Sequence, residues 1–293
     1  MSGWRKMAVI AVLISAVLFS CRKNLKPVIP DPTDSETHDT TPGGNNPNDT
    51  IPVVPDPLAY QQKAVFADVN TNCAGYYEAL PAGYDTTGID YPLLIFVHGG
   101  GELGNGVSDL PLVLKHAIPR MLNEKRFPPS FTVNGETFSF VIVSPQFKIW
   151  PTPNDMQSLL DYAKSHYRIN NARIYISGLS MGGGATWEFA AKSGSSIAAI
   201  VPISGASWAD SAAAKRIALA DVPAWAFHNR DDSSVTVNST IRYVNIINSW
   251  HPDPLVRMTL WDTGGHDAWT KATDPAYKED NKNMYEWMLQ FTR

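Results

Sequence analysis

Gly178-Leu179-Ser180-Met181-Gly182 sets a serine between two glycines, at the junction of an apolar run and a stretch with helical spacing. G-x-S-x-G in that context is a sharp elbow that holds a hydroxyl clear of its own backbone. The glycines are needed because side chains there would meet neighbouring backbone. A serine hydroxyl is a weak nucleophile until a base takes its proton. Of the seven histidines, His38 lies in a polar N-terminal stretch, His116 and His166 in helix-like segments, and His98 and His228 at strand ends. His251 precedes a proline. His266 sits in Thr263-Gly264-Gly265-His266-Asp267-Ala268-Trp269, a loop directly after the last apolar run, with glycine mobility beside it. It is the expected base.

A carboxylate must then fix the tautomer of that histidine and stabilise its protonated form. His228-Asn229-Arg230-Asp231-Asp232 follows a strand and lies between Ser180 and His266. Two adjacent carboxylates cannot both face one imidazole, and Asp262 is a further candidate. His98-Gly99-Gly100-Gly101-Glu102 supplies a fourth element, a loop rich in exposed backbone N–H groups. With the N–H of Met181, Gly99, Gly100 and Gly101 are expected to form an oxyanion hole. The loop lacks the Gly-Lys-Ser/Thr ending of a phosphate-binding P-loop.

The elements that must position these residues alternate along the chain. Strands are predicted over 75–80, 93–98, 138–144, 173–177, 198–203, 223–228 and 256–261. Helices are predicted over 154–167, 181–192, 210–220, 237–250 and 279–291. Leu93–His98 is almost continuously apolar, as in a strand buried on both faces. Such alternation predicts an α/β fold, a mostly parallel, doubly wound sheet flanked by helices, with active groups beyond the carboxyl ends of the strands. The stretch from Glu102 to Phe138 is long for a connection between strands. Within it Leu110–Leu122 reads as a helix interrupted near Pro119, either packed on the sheet or covering one side of the site.

These motifs together resemble the α/β-hydrolase esterases related to carbohydrate esterase family 1. That group includes feruloyl and acetylxylan esterases, polyhydroxybutyrate depolymerase-like enzymes and predicted peptidases. The matching segments are HGGGE (98–102), SPQ (144–146), GLSMGG (178–183), FHNRDDSSV (227–235) and GGHDAW (264–269). The resemblance covers roughly residues 74–291 and implies an α/β-hydrolase fold with a Ser-His-Asp triad. It puts Asp232 in the acid position, through the pattern His-Gly-x-x-Asp-x-x-Val, and makes Gln146 and Trp269 substrate-binding candidates. The sequence departs at Asn229, where glycine is usual, and at Leu103, where an arginine often follows the glutamate.

The 293 residues are 44% hydrophobic and 18% charged with a net charge of −4, enough for a sizeable core. Nothing resembles the clustered Lys and Arg of a nucleic-acid partner. Two cysteines, Cys21 and Cys73, exclude a disulfide framework and a cysteine-rich zinc site. Cys73 is expected to be a buried structural thiol.

Residues 1–21 read as a lipoprotein-type signal: Arg5 and Lys6, an apolar run from Met7 to Phe19, then Ser20-Cys21, with Cys21 the lipidation site. Residues 22–57 hold eight of the 22 prolines and form a polar, extended tether. The catalytic domain is expected over 58–293. The chain is therefore expected to be exported by a bacterium and held at a membrane only by its lipid, facing periplasm or cell surface. The reading is an ester hydrolase without metal or organic cofactor, acting on acetyl or feruloyl esters of plant polysaccharides. A peptidase or general esterase on the same machinery, and a non-catalytic glycan-binding lipoprotein, remain alternatives.

Overall fold

The computed structural model describes residues 59–293. The signal, Cys21 and the tether through residue 57 lie outside the described residues.

The described residues form ten strands and seven α-helices, which alternate from Val141 to Trp261. The strands are β1 (Gln61–Asn70), β2 (Cys73–Leu80), β3 (Tyr91–Val97), β4 (Phe131–Val133), β5 (Glu136–Phe138), β6 (Val141–Gln146), β7 (Ile169–Leu179), β8 (Ala199–Ile203), β9 (Trp225–Asn229) and β10 (Arg257–Trp261). The helices are α1 (Ala117–Asn123), α2 (Pro153–His166), α3 (Met181–Ser193), α4 (Ser211–Leu219), α5 (Asn238–Asn248), α6 (Trp269–Ala272) and α7 (Met284–Met288). Eight strands form one sheet in the order β1-β2-β6-β3-β7-β8-β9-β10, and β4 and β5 form a separate hairpin. From β6 to β10 all neighbours are parallel, while β1 and β2 run antiparallel at one edge. This is the doubly wound α/β sheet expected of the alternation.

The strands read as continuous apolar runs because both faces are covered. In β3, Leu93, Ile95 and Val97 enter one core layer and Leu94 and Phe96 the other. This is the period-two alternation of a strand. The first layer packs α2, α3, α4 and α5 on the sheet, and the second packs α1, α6, α7 and the hairpin. Helix ends follow local chemistry. Thr152 caps α2 with a capping box to Asp155, and Asp210 caps α4 by accepting from Ala212 and Ala213 N–H.

Several expectations are corrected. The run 138–144 is two elements. Phe138 closes the hairpin, while Val141 opens β6; between them Ser139 Oγ donates to Pro129 O and Phe140 N–H donates to Tyr60 Oη. The helix expected over 279–291 shrinks to Met284–Met288. Asp280 and Asn281 adopt φ of 52° and 61° in a turn where Glu279 pairs with Lys282, and Asn283 becomes the cap. Asp and Asn tolerate that left-handed backbone. The helix expected near 110–122 breaks at His116, not Pro119. Leu110–Lys115 is a 3₁₀ segment and α1 starts at Ala117. Pro119 sits in the first turn of α1, where its missing N–H has no partner to lose.

Candidate active site

The residues singled out for chemistry gather beyond the carboxyl ends of β3, β7, β9 and β10. Ser180 lies between β7 and α3 with φ 52° and ψ −115°. A non-glycine residue in such a backbone state costs about 1–3 kcal/mol and persists only where its surroundings fix it. They do so here: Ser180 N–H donates to Ile203 O at 2.9 Å, and Ser180 O accepts from Gly184 and Ala206 N–H, each at 3.0 Å. A Cβ on Gly182 would stand 2.2 Å from Val97 O, and one on Gly178 would stand 2.6 Å from the Gly182 carbonyl. The elbow therefore closes only with glycine at both positions.

Ser180 Oγ donates to His266 Nε2 at 2.8 Å, and His266 Nδ1–H donates to Asp232 Oδ2 at 2.7 Å. Asp232 is 8% exposed. Its other oxygen accepts Ser234 and Val235 N–H, each at 2.9 Å. Burial alone would raise the Asp232 carboxyl pKa. The hydrogen bonds from His266, Val235 and Ser234 outweigh it and hold the group below the ordinary carboxylate value. Asp232 thus stays charged opposite the imidazole.

Around this line stand residues that spacing alone did not reveal. His228 is fully buried, and its Nε2–H faces two acceptors, Asp232 Oδ2 at 3.1 Å and Val235 O at 3.0 Å. Its Nδ1 accepts the Thr240 hydroxyl at 2.8 Å. Burial lowers its pKa despite Val235 and Asp232, so it is a neutral donor to the same carboxylate. Asp231 divides the labour with its neighbour: its oxygens accept Gly265 N–H at 2.8 Å and Gly264 N–H at 3.2 Å. Asn229 Nδ2 donates to Gly265 O at 3.0 Å, and Ser204 Oγ donates to His266 O at 3.2 Å. The histidine loop is held by its backbone. The adjacency of Asp231 to Asp232 was the one signal of this in the sequence. Asp262 does not reach the histidine; it pairs with Arg230 at 3.4 Å and is exposed.

The glycine loop is less uniform than expected. Met181 N–H opens α3 and has no carbonyl one turn behind it. Gly100 and Gly101 N–H likewise open a 3₁₀ turn, Gly100–Glu102. Gly99 N–H is already committed to Glu102 Oε2 at 2.9 Å. It therefore cannot serve an oxyanion without displacing that carboxylate. His98 is structural. Its Nδ1–H donates to Gly99 O at 2.7 Å and its Nε2 accepts Phe147 N–H at 3.0 Å, while burial pushes its pKa down to about 4.

Gln146 does not reach the substrate side. It is fully buried, its Nε2 donates to Glu102 O and Asp109 O, and its Oε1 accepts Gly106 N–H. All its polar capacity goes into fastening the 102–109 loop. Trp269 does line the cleft with Ser180 and His266, its ring edge-on to the His266 imidazole at 5.1 Å. The 102–138 insertion has both of its expected roles. Ile118, Met121 and Leu122 pack in the second core layer, and His116 lines the cleft. Cys73 is buried, and burial raises its thiol pKa to about 11.

No family model and no curated protein matches the sequence. Solved structures do. A thermostable esterase superposes with TM-score 0.56 at 22% identity over 80% of this chain. The chain spans 63% of that protein's length. The feruloyl esterase module from Clostridium thermocellum, complexed with sinapinate, superposes with TM-score 0.56 at 16% identity, covering 72% of this chain and 84% of that one. The chain has the α/β-hydrolase fold. A ferulic acid esterase is similar at TM-score 0.53 and 16% identity, over 72% of this chain and 92% of that one. Within the α/β-hydrolase plan, the 102–138 insertion and its hairpin lie between β3 and β6.

Proposed function

We propose that this protein is a serine hydrolase of carboxylic esters. Ser180 Oγ attacks the ester carbonyl as His266 takes its proton. The oxyanion is received by Met181 N–H and by Gly100 and Gly101 N–H. His266, held by Asp232, then protonates the leaving alcohol, and water, activated in turn by His266, releases the acyl group. The observation that carries this reading is the unbroken line from Ser180 Oγ through His266 to Asp232, with bonds of 2.8 and 2.7 Å.

The substrates proposed are acetyl or feruloyl esters on plant polysaccharides. Support comes from the motifs that resemble those of carbohydrate esterases and from an N-terminal segment that reads as an export signal with a lipidation cysteine, an arrangement that suits a substrate too large to enter a cell. Lipidation at Cys21 and presentation on the periplasmic or outer face are part of the same proposal.

The test is acyl release by the full chain from acetylated xylan, feruloylated arabinoxylan, phenyl acetate and a peptide amide, with Ser180→Ala alongside. Acetate or ferulate release lost by several orders of magnitude in the variant is expected, on the scale of triad removal elsewhere. Retained turnover in Ser180→Ala would sink the assignment. Cleavage of the amide in preference to every ester would turn it to a peptidase.

A further inference from the structure

We propose that Glu102 and His116 form a subsite for a hydroxyl group on the alcohol part of the substrate, so that the preferred ester has a free hydroxyl next to it. The inference rests on the serine-esterase reading and adds residues which that mechanism does not use. The cleft at Ser180 has a volume of about 100 Å³, and Glu102, His116, His266 and Trp269 contribute to its walls. The Glu102 side chain is 8% exposed. One of its oxygens is taken by Gly99 N–H at 2.9 Å. The other, Oε1, accepts no hydrogen bond among the described residues and stands 3.6 Å from His116 Nε2. The His116 ring makes no hydrogen bond either; it leans edge-on against Trp269 at 5.6 Å.

Glu102 Oε1 is mostly buried but still reached from the cleft, so a donor arriving there replaces water and does not fill a sealed void. The gap of 3.6 Å is too long for a direct bond. One oxygen atom at about 2.8 Å from both groups spans it. Such an atom must donate to Glu102 and accept from His116 Nε2–H. A hydroxyl does both, whereas an ether oxygen or a methyl group cannot. The position relative to the reaction follows from His266. Its Nε2 must reach the leaving oxygen to protonate it, so the wall formed by His266, Trp269 and His116 faces the alcohol. A cavity of 150 Å³ admits benzene. The smaller volume here takes the hydroxylated edge of a sugar or polyol, with the rest of the ring outside.

The experiment compares two acetates that differ by one donor, 2-hydroxyethyl acetate and 2-methoxyethyl acetate, with phenyl acetate as a third arm. Full-chain wild type, Glu102→Gln, His116→Phe and Ser180→Ala are measured. Glu102→Gln keeps an oxygen for Gly99 N–H but turns the free acceptor into a donor. Wild type is expected to favour the hydroxylated ester in kcat/KM by about tenfold or more, the factor that one hydrogen bond to a charged group supplies. That ratio should fall towards one in both variants, whatever happens to their overall rate. A wild-type ratio within twofold of one overturns the subsite, as does a ratio kept in both variants. If Glu102→Gln fails to fold, judged by thermal melting, His116→Phe decides alone. Phenyl acetate turnover abolished by Ser180→Ala reports the esterase reading separately. Without that turnover the reading fails and the subsite falls with it.

Discussion

Asp231 and Asp232 are neighbours with different tasks, and exchanging either should show it. Asp232 bonds the His266 ring, whereas Asp231 bonds the backbone that carries it. In Asp231→Ala the loop loses two charge-assisted bonds, of 2.8 and 3.2 Å. It keeps the bonds from Asn229 and Ser204 and the ring contact to Asp232. Asp231 is exposed, so water competes and each lost bond counts at the low end of its range. Together they are worth about 1–2 kcal/mol. If all of it goes into keeping His266 aligned, kcat/KM should fall about five- to thirtyfold, at 1.4 kcal/mol per factor of ten. Asp232→Asn leaves the backbone intact but favours the wrong tautomer, and should cost about 10⁴. The assay is steady-state hydrolysis of phenyl acetate, with labelling of Ser180 by a fluorophosphonate as a second reading. Equal losses in the two variants would refute the division of labour. A loss below twofold in Asp231→Ala would show that its two bonds do not position the histidine.

Two further outcomes follow from the scaffold. Gly182→Ala would force a Cβ to 2.2 Å from Val97 O, with no flexible side chain to yield. It should lower the thermal midpoint by several degrees and abolish fluorophosphonate labelling; a midpoint unchanged within one degree would contradict the close approach. His98 is pushed from 6.5 down to about 4, so the unfolded chain binds its proton first as pH falls. Its contribution is complete above pH 6.5 and is lost between there and about pH 4, roughly 3 kcal/mol in all. His228, lowered in the same direction, adds to the loss. Asp232, depressed below 3.8, gives way only at lower pH still. Urea unfolding of wild type should weaken across that window, and His98→Asn should show a flatter pH dependence even if less stable at neutral pH. An equal slope in both would refute the assignment.

What the sequence disclosed and what it hid have physical reasons. Leu93–Val97 was legible because a strand covered on both faces must be apolar throughout. The elbow was legible because only glycine survives beside the Val97 carbonyl. β1 was not, since it is an edge strand whose Gln61, Lys63 and Ala64 face water and break the pattern. The division between β5 and β6 was hidden because Phe138 and Phe140 are apolar on either side of a turn fixed by Tyr60, 80 residues away in sequence. Gln146 reads as a substrate ligand in the sequence for a related reason. A glutamine near the site looks like a substrate ligand until its partners, the 102–109 loop 37 to 44 residues away, are seen to saturate it.

Asn229 shows how a departure from a pattern can fit its surroundings. The families that the sequence resembles have glycine there, which would leave the carbonyl of Gly265 without this donor. The histidine loop needs one. Gly264 and Gly265 take φ of 142° and 59°, conformations open to glycine, and they bring no side chains to pack. Such a segment loses much conformational entropy on ordering, and the bonds from Asn229, Asp231 and Ser204 offset it. The nucleophile faces the opposite problem. Its elbow is packed tightly against the backbone of Val97, His98, Ile203 and Gly205. Alignment of the Ser180–His266 pair is therefore decided on the histidine side, by polar tethers to a glycine loop. Substitutions among those tethers should grade activity, while those at the elbow glycines should end it and lower stability as well.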